Sequence, residues 1–229
     1  MQLNYYIYLG DEPFFSAVYI KPAIQIWNDS GSGAKMKTSF WTASNNQLQH
    51  DYKLLGDSVC NGRSQCEPLL AIKDIKENVD GLKEPVNFEY FWHDENSGAD
   101  NSVKVYRLIP PDGFQCLGYV AVDSYDKKPD LNKYRCVNEK YLQPVKYSKV
   151  LWEDSGSVIS VDFAAYSLQS TSTSLQSGTF IGETNHNFGN YIGKSEWSAI
   201  KYDLVDINQT GNISSLIFAS ADLISLFFN

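Results

Sequence analysis

Long amphipathic helices are missing from this sequence, and with them the doubly wound α/β architectures that need helices between strands. The one helical candidate is Leu69 to Val79, where Ile72, Ile75, Lys76 and Val79 fall at helical spacing; it reads as an irregular connector. No apolar run reaches the roughly 20 residues of a membrane-spanning helix. The most apolar piece, Ser214 to Phe228, is too short and carries Asp222. Met1 leads into Gln2, Leu3, Asn4 and Tyr5 without a basic start, so no signal peptide is expected there. Basic residues are few, 19 Lys and Arg against 27 Asp and Glu, for a net charge of −8. A nucleic-acid binder would usually show a basic face, and anionic membranes attract polybasic segments; neither partner fits this balance.

Chemistry-bearing motifs are also sparse. The three histidines, His50, His93 and His186, are scattered, with no His-x-His pair or Cys–His zinc spacing. No serine sits in Gly-x-Ser-x-Gly, and Gly31-Ser32-Gly33 lacks the spacing of a phosphate-binding loop. We therefore expect no enzyme, no cofactor and no metal. The four cysteines, Cys60, Cys66, Cys116 and Cys136, match neither a zinc ribbon nor a redox pair. Two disulfides, one closing Cys60 to Cys66, and four free thiols both remain open, with the thiols favoured while the redox compartment is unknown.

What is present is aromatic and repetitive. The 229 residues are 43% hydrophobic and 14% aromatic, which is globular and strand-favouring. One unit recurs three times: Ile26-Trp27-Asn28-Asp29-Ser30-Gly31, Phe91-Trp92-His93-Asp94-Glu95-Asn96 and Leu151-Trp152-Glu153-Asp154-Ser155-Gly156. An aromatic residue, Trp41, Tyr106 or Tyr166, follows each Trp at the same interval without a gap. A second landmark follows, read as Leu54-Leu55-Gly56-Asp57, Cys116-Leu117-Gly118-Tyr119 and Phe180-Ile181-Gly182-Glu183. Alternation in Ser102 to Tyr106 and Ser157 to Phe163 predicts strands, and the Ser/Gly turns supply the positive φ that hairpins demand.

The expected fold is all-β: one β-prism domain over 1–229, built of three antiparallel sheets with pseudo-threefold symmetry. The units would span about 20–85, 86–146 and 147–200, with 1–19 and 201–229 adding strands at the sheet edges. Trp27, Trp92 and Trp152 should lie buried about the common axis.

Trp-x-Asp-x-Gly-Ser-Gly-Ala at Trp27 to Ala34, Pro-Pro-Asp-Gly-Phe with Leu-Gly over Pro110 to Gly118, and Tyr134-Arg135-Cys136-Val137 are a specific set. Together they make the chain resemble the vacuolar protein sorting-associated protein sixty-two family over roughly residues 20 to 190. That family looks related to membrane-associated prism domains, and jacalin-like lectins share the architecture. The resemblance implies a prism and bears weakly on function, because one fold hosts many functions. The third copy departs, with Val158 and Ile159 where the first has Gly33 and Ala34.

The turns are the candidate site. A sugar or membrane surface would meet Asn28, Asp29, Ser30, Gly31, Ser32 and Gly33 in the first copy, His93, Asp94, Asn96 and Gly98 in the second, and Asp154 in the third. The competing reading, which carries more weight for the Asp residues, is that each caps its own turn. The expected function is a recognition module for glycans or a membrane surface. A pore-forming toxin subunit with Ser167 to Thr184 as insertion hairpin, and a protein-binding adaptor, are the alternatives. Oligomeric state is left open.

Overall fold

The computed structural model describes residues 4–9, 12–64, 66–75, 80–145, 147–157, 161–168, 174–186, 197–201 and 205–206. These are all-β: every paired strand is antiparallel to its neighbour, and helix is limited to the one-turn 3-10 segments Asn45–Gln47, Leu131–Lys133 and Glu139–Tyr141. Six small sheets form, where three were expected. No described helix is long and apolar enough to cross a membrane.

Three of the sheets carry the repeat. They are Ile24–Asn28, Thr38–Thr42 and Ser58–Asn61; Asn87–His93, Lys104–Ile109 and Tyr119–Val122; and Tyr147–Glu153, Ala164–Leu168 and Ile181–Glu183. Their registers coincide. Trp27 pairs with Phe40, Trp92 with Val105 and Trp152 with Ala165, and each first strand is bulged at the residue before its Trp. A bulge turns the strand and increases its twist, which aims the indole inward.

All three indoles are buried, with Trp92 and Trp152 at 0% exposure and Trp27 at 2%. Trp152 is the hub, with ring centroids 5.7 Å from Trp27, 6.1 Å from Trp92, 5.9 Å from Phe163 and 6.2 Å from Phe40. A buried indole N–H needs an acceptor. Here each finds one in the next copy: Trp27 Nε1 donates to the Asn101 carbonyl at 2.8 Å, Trp92 Nε1 to Val161 at 3.1 Å and Trp152 Nε1 to Met36 at 2.9 Å. The acceptor occupies the same position in every copy, nine residues past that copy's own Trp.

A second cycle is made by backbone alone. Asp57 N–H donates to Tyr119 O, Tyr119 N–H to Phe180 O, and Phe180 N–H to Asp57 O. Gly56, Gly118 and Thr179 meet beside this cycle; a Cβ on Gly118 would lie 2.5 Å from the Thr179 Cβ. The third landmark is therefore Gly178-Thr179-Phe180, three residues earlier than the sequence reading placed it. Gly182 corresponds instead to Val59 and Ala121, since it pairs with Ala165 as they pair with Phe40 and Val105.

Leu69–Asp74 is a strand, where an irregular connector was expected over Leu69 to Val79; residues 76–79 of that stretch lie outside the described residues. Its run is buried on both faces, with Leu70 and Ile72 in one apolar cluster and Leu69 and Ala71 in another, and such a run has no strand alternation to read. It lies in a five-stranded sheet ordered Val205–Asp206, Asn4–Leu9, Glu12–Ile20, Leu69–Asp74 and Lys53–Leu54. Thus the N-terminal hairpin and Val205–Asp206 share one sheet outside the three repeat sheets; residues 207–229 lie outside the described residues. The alternating run Ser157 to Phe163 is also not a strand over its described residues, the strand beginning at Ala164. Phe163 N–H and Val161 O are spent instead on Asp154 and Trp92.

All four cysteines are paired, Cys60 with Cys66 and Cys116 with Cys136.

Asp74 ends its strand with Oδ1 buried and without a hydrogen-bond partner, beside the ring of Phe15 and against Gly81. Burial raises its carboxyl to about 6, with the Leu82 N–H and Arg135 pulling the other way. A carboxyl raised on folding costs stability once it ionises, so unfolding free energy should fall as pH rises from about 4 to 6. Discounted for solvent, the effect is about 1 kcal/mol. Asp74→Asn should remove that slope and gain the same amount at pH 7 in urea melts; an unchanged profile would contradict it.

Candidate functional site

Each repeat turn is built on one aspartate. Asp29, Asp94 and Asp154 are 2%, 1% and 3% exposed, and each makes the same bonds. Oδ1 accepts the N–H of Thr38, Val103 or Phe163 at 2.8–3.1 Å. The backbone N–H donates to the carbonyl of that same residue, and the Asp carbonyl accepts from Ser32, Ser97 or Ser157. These aspartates hold the turn shut and do not present a carboxylate to solvent. The recurrence in all three copies is a requirement of the turn.

The carboxylates differ in what else reaches them, and the sequence reading missed these partners. Arg63 Nε lies 2.8 Å from Asp29 Oδ1, Tyr125 Oη 2.9 Å from Asp94 Oδ1, and His186 Nε2 2.6 Å from Asp154 Oδ1. All three follow the third strand of their own sheet, so their shared place was visible, but three unlike residue types hid it. Burial raises the carboxyl of Asp94 and of Asp154, partly offset by the backbone N–H of Val103 and of Phe163. Asp154, His186 and Asp162 form a group of metal-ligand types, with His186 Nδ1 4.0 Å from Asp162 Oδ2. Asp154 Oδ2 is buried without a partner, but so is Asp94 Oδ2, which belongs to no such group among the described residues. The orphan oxygen thus occurs in two of the three turns, with and without such a group beside it, and does not by itself mark Asp154 as a ligand.

The turns touch one another. Asp100 N–H donates to Ser30 O, and Lys35 N–H to Ser155 O. Gly31, at φ +87°, faces Gly98 so closely that a Cβ would lie 2.5 Å from the Gly98 carbonyl; Gly33 faces Gly156 at ordinary contact distance, where a Cβ would lie 3.6 Å from the Gly156 carbonyl. Of the sequence-predicted residues, Asp29, Ser32, Asp94 and Asp154 are buried. Asn28, Ser30 and His93 are half-buried, and Gly31, Gly33, Asn96 and Gly98 are exposed. Asn28 is occupied locally, its Oδ1 accepting the Ser30 N–H and its Nδ2 donating to Gln25. What remains open is a patch of glycine backbone rimmed by Glu95 and Asn96, the latter at φ +66°.

No curated protein matches the chain. Among solved structures it is similar to GNIP1Aa from Chromobacterium piscinae, with a TM-score of 0.66 and 24% identity over 79% of this chain. The match covers 36% of that protein, so the chain spans about a third of its length. At that identity the likeness bears on the fold, and it agrees with small antiparallel sheets. A family model described as vacuolar protein sorting-associated protein 62 matches residues 7–214, nearly the whole sequence, and the chain belongs to that family.

Proposed function

We propose that the chain is a β-prism with pseudo-threefold symmetry, acting as a non-catalytic recognition module for glycans through the turns at one end. The observation that carries this is the contact of the three turns, Gly31 on Gly98 and Gly33 on Gly156, which merges them into one surface. The cyclic indole bonds support the prism, since each sheet donates to the next and the third returns to the first. Sugar recognition needs few precisely placed polar groups and no basic surface, so a net charge of −8 is no obstacle. Glu95 (which also meets His93), Asn96 and the exposed glycine backbone supply those groups, while the buried aspartates fix their positions. Two disulfides favour an oxidising compartment. The pore-forming alternative gains no support. Leu175 and Phe180 of its supposed hairpin are buried, and Gly178 packs on the Pro68 carbonyl; residues 169–173 lie outside the described residues.

A glycan array, with vesicle binding at low and high ionic strength, tests the reading on wild type beside Asn96→Gly. Glycine keeps the positive φ that Asn96 adopts and removes only the side chain. Salt-insensitive glycan binding, weakened about tenfold in the variant, is expected from the loss of one hydrogen bond. Binding abolished by salt, or unchanged by the substitution, refutes it.

A further inference from the structure

The first copy departs from the others between its second and third strands. Where the second copy turns through Pro110-Pro111-Asp112-Gly113, the first runs through residues 43–52 with the 3-10 turn Asn45–Gln47. This insertion leans over the five-stranded sheet and forms with it an open cleft of about 890 Å³, within the range of small-ligand sites. The cyclic contacts between copies do not use the insertion.

Three features make the cleft more than a gap. First, His50 and Asp51 are consecutive non-glycine residues at φ +58° and +65°. Left-handed backbone in such residues is uncommon and clusters at functional sites. Second, it is held from below. Lys73 Nζ donates to the His50 carbonyl at 3.2 Å and sits 4.7 Å from the centre of the Tyr52 ring. Tyr52 Oη in turn lies 2.5 Å from Ser16 Oγ, and both residues are buried. Third, the charge of the lining opposes that of the protein. Lys21, His50 and Lys73 are its basic residues and Asp74 its acid. Asp74 Oδ1 is turned to the opposite face, beside Phe14, Phe15 and Gly81, whereas Lys73 shares the face of Ser16 and Tyr52.

We propose that this cleft binds an acidic saccharide, a hydroxyl-rich ligand carrying a single carboxylate. Lys73, with one of its three N–H groups committed to His50, is the fixed cation for the carboxylate. Lys21 adds to the field. The exposed amides of Asn46 and Gln49 face the cleft as donors and acceptors for sugar hydroxyls. The site is separate from the patch of turns, and the two stand or fall independently.

Titration calorimetry of the full chain with sialyllactose, glucuronic acid and uncharged lactose tests this. At least one acidic probe should bind, lactose should bind at least tenfold more weakly, and raising salt from low to physiological strength should weaken the acidic probe several-fold. Lys73→Met, which keeps an apolar stem against Tyr52, should lower that affinity about tenfold. His50→Gly, which accepts the left-handed backbone, should lower it less. Lys128→Met, at an exposed lysine outside both the cleft and the turns, should leave it unchanged, which ties the effect to the cleft and not to surface charge in general. Thermal melts of the variants establish folding. No binding of either acidic probe, equal binding of lactose, or full affinity in a folded Lys73→Met protein would overturn the assignment.

Discussion

Trp152→Ala should lower the unfolding free energy by about 3–5 kcal/mol, the usual cost of emptying a buried aromatic site. The indole is fully buried and packs edge-on against Trp27, Trp92 and Phe40, so its loss opens a cavity that four rings border. It also leaves the Met36 carbonyl without its donor. Trp152→Phe separates the two effects: it keeps most of the volume, drops the N–H, and should cost less than half as much. Urea denaturation followed by tyrosine and tryptophan fluorescence is the measurement. A loss below about 1 kcal/mol for the alanine variant would mean that the three sheets do not share this residue as their common core.

Replacing Cys116 and Cys136 together by alanine should cost about 3 kcal/mol, since the bond closes a loop with a sequence separation of 20. The matched change at Cys60 and Cys66 closes a separation of only 6 and should cost clearly less globally. Its effect should be local instead: the short loop carries Arg63 to Asp29, so freeing it loosens one turn. Chemical denaturation with and without reductant distinguishes the cases. Equal losses from the two bonds, or none, would count against the assignment.

The repeat was legible because its main marks keep the same residue type in all three copies. Trp at the hub and Asp in the turn recur at fixed intervals, and the structure uses both in the same way in every copy. The second landmark was misread in the third copy because glycine marked it twice before, while Thr179 stands at that point in the third. Phe180-Ile181-Gly182 offered a false match three residues away. Leu69 to Val79 read as an irregular connector, its strand unseen over Leu69–Asp74, because burial on both faces erases the period of two. The candidate site was half legible. Asp29, Asp94 and Asp154 stood out as candidate ligand contacts and, with more weight, as turn caps; the structure shows them capping the turns, while their side-chain partners Arg63, Tyr125 and His186 share no chemistry and are found only in three dimensions. The cleft under residues 43–52 left no trace beyond an irregular insertion, since its lining is drawn from three separated stretches.

The cyclic indole bonds bear on how the chain assembles. They span 74, 69 and 116 residues, and the longest joins the last copy to the first. Because closure entropy grows only with the logarithm of loop length, that last joint costs about 0.5 kcal/mol more than the others. Every joint is nonetheless long-range, so little native contact can form before distant segments meet, and folding should be slow relative to helical chains of this size. Opening one sheet withdraws an indole acceptor from one neighbour and an indole donor from the other, as well as two links of the backbone cycle at Asp57, Tyr119 and Phe180. Partial opening of a single unit therefore approaches the free energy of complete unfolding, and proteases acting on the repeat core should meet one cooperative body with few stable intermediates.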